Sequence, residues 1–122
     1  MNFDFSNSEE ILDAAKTENL YRKLVIQLRK DFGLANIEIQ ISNAQDSRGL
    51  QSLIREKIYY LILEKFDAYL HLLYIIDVPE SAFKNIHLTD VVEVSEQMTF
   101  SILKRELQKV WFKKKYTPRN IP

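Results

Sequence analysis

The sequence predicts an all-α fold: an antiparallel bundle of three long helices plus one short helix, with one extended segment near residues 37–41. Three observations carry this. Only two glycines and three prolines occur, and no proline falls inside a periodic segment, so turns are few and the stretches between them long. Apolar residues recur at three- and four-residue spacing through most of the chain. A single segment, ANIEIQIS, alternates with period two.

The first helix is placed from Ser6, because Ser6-x-x-Glu9 has capping-box spacing and Phe5 stands where a hydrophobic staple would. A restart is allowed near Thr17. Leu20, Tyr21, Leu24, Val25, Leu28 and Phe32 then form one stripe, and Gly33 is positioned to end the helix in a left-handed cap. Beyond it Ile37, Ile39 and Ile41 alternate with Glu38 and Gln40, as on a half-buried strand. A lone strand leaves backbone groups unpaired. The segment therefore either lies as a strap over the helices, the favoured reading, or pairs with a copy of itself across a two-fold axis.

After the polar stretch SNAQDSRG the longest helix is expected over residues 50–76, with Ser42-x-x-Gln45 as an earlier cap. Leu50, Leu53, Ile54, Ile58, Leu61, Ile62, Phe66, Leu70 and Leu73 form its core stripe. Tyr59, Tyr60, Leu63, Leu72, Tyr74, Ile75 and Ile76 widen the apolar surface beyond one stripe, as in a helix that is central or lies at an oligomer interface. Pro79 forces Val78 out of helical geometry and suits the start of a short helix reaching about residue 86. Thr89 and Asp90 offer caps for the last helix, which runs to about Tyr116 and leaves residues 117–122 irregular.

A chain of 122 residues fits one domain. Hydrophobic residues at 46% and charged residues at 28% are ordinary globular values and indicate neither a disordered chain nor a membrane protein. Seventeen basic residues balance seventeen acidic ones, which disfavours a general binder of nucleic acid. The absence of cysteine removes disulfides, zinc-thiolate sites and thiol chemistry. The acidic N-terminal stretch MNFDFSNSEE carries no export signal, and Glu64, Lys65 and Asp67 interrupt the most apolar window, so a cytoplasmic protein without membrane contact is expected.

The end of the chain, KVWFKKKYTPRN, is basic and aromatic. In the last helix Asp90, Glu93 and Glu96 come first and Lys104, Arg105, Lys109, Lys113, Lys114 and Lys115 come last, an order that matches the helix dipole. A solvated helix end is the expected reading. The alternative is a nucleic-acid accessory protein whose polyanion contact uses Lys109, Lys113, Lys114, Lys115 and Arg119.

Candidates for chemistry are few. Glu64, Asp67 and His71 follow one another at offsets of three and four along the long helix, so they can converge on one face, and His87 is the second histidine; Glu93 and Glu96 of the last helix are the remaining carboxylates considered. The paired Glu-x-x-His of di-iron bundles is absent. No phosphate-cradling glycine loop, G-x-S-x-G elbow or H-E-x-x-H occurs. Neither metal, cofactor nor catalytic residue is therefore assigned, and an enzyme is not expected.

HLLYIIDVPE together with LKRELQKVWFKKKY resembles the C-terminal half of a group of short bacterial proteins of unknown function that share an all-helical pattern. The resemblance covers roughly residues 50–116 and implies no activity, cofactor or site residue. From the residues themselves, a non-catalytic interaction module that forms a homodimer is expected. Tyr60, Leu63, Leu72 and Tyr74 are its candidate interface, since tyrosines with apolar bodies and polar tips favour interfaces.

Overall fold

Five α-helices and one 3-10 turn make up the secondary structure of the computed structural model, which describes residues 1–42, 45–84, 86 and 90–116. The helices are α1 (Ser8–Thr17), α2 (Tyr21–Leu34), α3 (Ser47–Glu64), α4 (Phe66–Ile76) and α5 (Val91–Tyr116), with the 3-10 turn at Glu80–Ala82. Two of the three long helices expected from periodicity are thus divided. The first breaks after Thr17 and the second at Lys65, while the expected short helix is a single 3-10 turn. No helix is long and apolar enough to cross a membrane among the described residues.

The central element is α5, not the 50–76 segment. At 26 residues it is roughly 39 Å long, and it packs against each of the other four helices. Val94, Met98, Ile102, Leu103, Leu107 and Val110 form its buried face. They meet Ile11 and Leu12 of α1, Leu24, Leu28 and Phe32 of α2, Ile54 and Ile58 of α3, and Leu72, Leu73 and Ile76 of α4 in one core. Ser95 and Thr99 are buried on the same face, and their hydroxyls donate to the carbonyls of Val91 (2.6 Å) and Ser95 (2.7 Å), so neither is left unpaired.

The starts of the helices follow the expected chemistry at shifted positions. Asn7, rather than Ser6, caps α1: its Oδ1 accepts the Glu10 N–H (2.9 Å), while Glu10 Oε1 accepts the Ser6 N–H (3.0 Å). The cap is formed one residue later than expected, since Asn caps as well as Ser, and Glu10 reaches back to the residue before the cap rather than to the N-cap N–H of a capping box. Ser42 and Gln45 form a backbone turn (3.2 Å), and Asp46 caps α3 by accepting the Gly49 N–H (2.7 Å). Asp90 Oδ1 accepts the Glu93 N–H (3.2 Å) at the start of α5; Thr89 lies outside the described residues.

Three helices end in the same motif, and none of them uses glycine. Asn19, Asn36 and Asp77 adopt left-handed backbone geometry with φ of 57°, 58° and 67°. After α2 the Ile37 N–H donates to the Phe32 carbonyl (2.9 Å) and the Asn36 N–H to Gly33 (3.0 Å), the paired bonds of a Schellman cap. The same pair closes α1, from Leu20 to Ala15 and from Asn19 to Lys16, and α4, from Val78 to Leu73 and from Asp77 to Tyr74. Each left-handed residue is followed by a buried apolar one, Leu20, Ile37 or Val78, which anchors the turn on the core. Gly33, expected to be the left-handed residue, is helical. The short polar side chains of Asn and Asp tolerate this conformation, so glycine is not required.

Two opposite stability changes follow. A Cβ on Gly33 would meet nothing within 4 Å. Gly33→Ala is therefore expected to stabilise the protein by about 0.5–1 kcal/mol, and Asn36→Ala to destabilise it by about 1 kcal/mol, in urea unfolding. A stabilising Asn36→Ala would contradict the assigned cap.

The ANIEIQIS segment contains neither helix nor strand. Ile37 and Ile41 are buried, Ile39 is half-buried, and Glu38 and Gln40 are exposed, so its alternation reflects a strap with one face on the core. Arg29 of α2 ties the strap down, with Nε and Nη2 both donating to the Ile41 carbonyl (2.8 and 2.6 Å).

Candidate interaction surface

Residues 58–76 carry two apolar stripes, and only one can face the core. The buried one runs through Ile58, Leu61, Ile62, Tyr69, Leu72, Leu73 and Ile76. Lys65 stands on the same stripe, four residues after Leu61 and four before Tyr69. An unbroken helix would hold its ammonium against the core, a costly burial. The helix breaks there instead (φ −145°, ψ 64°), and Lys65 is exposed.

The second stripe remains on the surface. Tyr59, Leu63, Phe66, Leu70 and Tyr74 are exposed to 40, 52, 40, 43 and 79%, with Tyr60 beside them. Tyr59 and Leu63 stand one turn apart on α3, and Phe66, Leu70 and Tyr74 follow at four-residue spacing on α4, so each helix carries an exposed apolar run on its side of the break. Phe66 lies against the Tyr69 ring (5.5 Å between centroids), Tyr74 stacks on His71 (6.3 Å), and Lys57 Nζ sits over Tyr60 (5.7 Å). Leu70 and Tyr74 also border a groove of about 420 Å³ whose other wall is Pro79, Glu80 and Phe83. Other exposed large apolar residues, such as Ile26, Leu34 and Val92, are dispersed over α2 and α5.

Of the four residues expected at an interface, Tyr60, Leu63 and Tyr74 are therefore on the surface, and Leu72 is not. Leu72 has no exposed area and belongs to the core. Conversely, Phe66 and Leu70, assigned to the core stripe, stand on the exposed one. Leu73 is buried as assigned; Phe66 and Leu70 read as core in the sequence because both stripes are equally apolar beyond Ile62.

The basic end divides in the same way. Lys109 is drawn inward, with Nζ 2.5 Å from Asp31 Oδ2 of α2 and 2.5 Å from Glu106 Oε1 of its own helix. It is unavailable to a polyanion. Lys113, Lys114 and Lys115 are exposed in the last turn of α5, and Lys115 Nζ lies over the Tyr116 ring (5.6 Å). Arg119 lies outside the described residues, as does the rest of the 117–122 tail. Phe112 stacks on Tyr116 (5.9 Å) and approaches Phe3 (6.0 Å), so the aromatic side chains of this end engage the N-terminal segment.

The ion pair belongs to a buried polar cluster between α2 and α5. Asp31 and Glu106 are 4 and 0% exposed, and Gln27 Nε2 donates to both Asp31 oxygens (3.2 and 3.1 Å). Burial, reinforced by the neighbouring Asp31, pushes the Glu106 carboxyl up to about 9 despite the opposing Lys109 ammonium. Asp31 is also raised by burial, but bonds from Glu106, Lys109 and Gln27 outweigh that and hold it below the usual carboxylate range. At neutral pH the proton therefore sits on Glu106, which donates it to the Asp31 carboxylate, and Lys109 balances the remaining charge. Both Glu106 oxygens are buried and neither has a well-directed hydrogen-bond partner, the Lys109 ammonium lying beside one of them, so ionising this carboxyl is costly. Both carboxyls are thus buried, and the partly exposed Lys109 side chain closes the cluster toward the surface.

Glu64, Asp67 and His71 are all exposed, but Glu64 belongs to α3 and the other two to α4, so helical offsets do not hold across the break. Among the described residues no three His, Asp or Glu side chains are grouped to hold a metal ion; His87 lies outside them. Nor does the chain match any protein-family model, curated protein or solved structure.

Proposed function

We propose that this protein is a non-catalytic interaction module that self-associates through the exposed stripe of α3 and α4. The observation that carries the reading is that stripe itself. With side chains of 150–250 Å² for the aromatic residues, its exposures leave roughly 600 Å² of apolar surface per chain, at the upper end for a monomer's largest patch. A net charge of zero adds no long-range repulsion between copies. Kinship of residues 50–116 with short bacterial helical proteins is part of the same proposal and adds no activity to it.

The double substitution Leu63→Lys/Leu70→Lys tests the surface. Both side chains are exposed, so helicity by circular dichroism is expected to stay unchanged while the molar mass falls from dimer to monomer. An unchanged mass would remove this surface from the account. Polyanion binding by Lys113, Lys114 and Lys115 is the competing use of the molecule. It predicts heparin retention that weakens steeply with salt and is lost when the three become Glu.

A further inference from the structure

The stripe on α3 and α4 reads the same in both directions: Tyr59, Leu63, Phe66, Leu70, Tyr74. Tyrosines stand at its ends, leucines inside them and one phenylalanine at the centre. Phe66 is seven residues from the first tyrosine and eight from the last, directly after the break at Lys65. In an isologous interface each side chain meets the side chain related to it by the two-fold axis, so a stripe that pairs with itself antiparallel must match its own reversal. These five residues do so in type, while Tyr60, exposed beside Tyr59, lies outside the symmetric set. A patch shaped for an unrelated partner has no reason to carry that symmetry.

Building on the self-association proposed above, we infer that two copies pack antiparallel across a two-fold axis at Phe66. Tyr59 of each chain then faces Tyr74 of the other, and Leu63 faces Leu70. Two stripes of roughly 600 Å² bury about 1,200 Å², the lower edge of the range for stable protein interfaces, before any polar rim is added. The aromatic positions are suited to that task. Tyr59 and Tyr74 can bury their rings while their hydroxyls reach water at the two ends.

Because the chain contains no cysteine, single introduced thiols report this register without interference. Leu63→Cys, Leu70→Cys and Phe66→Cys variants are oxidised with copper phenanthroline, alone and in mixtures, and read on non-reducing gels. Phe66→Cys is expected to cross-link to itself. Leu63→Cys and Leu70→Cys are expected to cross-link to each other several-fold faster than either does to itself, and that pair keeps the central phenylalanine. Efficient self-linking of Leu63→Cys, or no linking by any variant of a protein that is dimeric by mass, would overturn the register while leaving self-association standing. A monomeric parent chain would overturn both.

Discussion

Lys109→Ala is expected to destabilise the protein by about 3–5 kcal/mol, although the residue sits among the exposed lysines of a helix end. The reason is what it leaves behind. Asp31 is 4% exposed and carries the negative charge of the cluster, with the Lys109 ammonium 2.5 Å away. Without the ammonium that charge stays buried, supported only by the neutral donors Gln27 and Glu106. The carboxylate is too far inside to be rescued by water. Lys109→Met combined with Asp31→Asn removes both charges and keeps an amide beside Gln27, so most of the loss is expected to return in a double-mutant cycle. Urea unfolding measures both. A loss under about 1 kcal/mol for the single change would place Lys109 in solvent and break the account of the cluster.

The second large effect is a pH dependence. A carboxyl raised from 4.5 to about 9 in the native state binds a proton there that the unfolded chain has released. Its stabilising contribution is complete below the unfolded value and declines as pH rises, by about 1.4 kcal/mol per unit, until the native group itself ionises near 9. Asp31 acts in the opposite sense and elsewhere: its lowered value contributes stability above the ordinary carboxylate range that is lost as pH falls through the native value. The window between about pH 5 and 9 therefore belongs to Glu106. Glu106→Gln keeps a donor for Asp31 and cannot ionise. Its unfolding free energy is expected to be much flatter over that window than the parent's, with the largest advantage at alkaline pH. Parallel profiles for the two proteins would show that Glu106 is ionised in the native state.

Both effects were within reach of the sequence, for a definable reason. Ile102, Leu103, Leu107 and Val110 mark the buried face of the last helix, and Glu106 falls between them at helical spacing. Asp31 likewise sits three residues after Leu28 on the face of α2 that ends in Phe32. A charge inside an apolar stripe is a signal that it has a buried partner. Its sequence-distant partner is not visible in periodicity, because α2 and α5 meet only in the fold.

Other features divide similarly. Helical identity, the last helix, the strap and the need for caps are local matters and were legible. Glycine counting misread the helix ends, since Asn19, Asn36 and Asp77 take the left-handed positions. An apolar residue four positions earlier (Ala15, Phe32 or Leu73), with Leu20, Ile37 or Val78 just after, is the better signature. The break at Lys65 was hidden by the continuous apolar pattern on both sides of it. Two stripes of equal hydrophobicity then left Leu72 and Leu70 interchangeable, and only packing against α5 separated them. The surplus of apolar surface was legible, and so were Tyr60, Leu63 and Tyr74 within it; Phe66 and Leu70 were not.

That surplus is the central claim, and absolute molar mass by light scattering after size exclusion tests it most directly. The parent chain is measured at two protein concentrations and two salt concentrations. A mass of twice 14.5 kDa that does not fall with salt is the expected result, since apolar burial is not screened. A 14.5 kDa species under all four conditions would contradict self-association and leave the stripe without its proposed occupant.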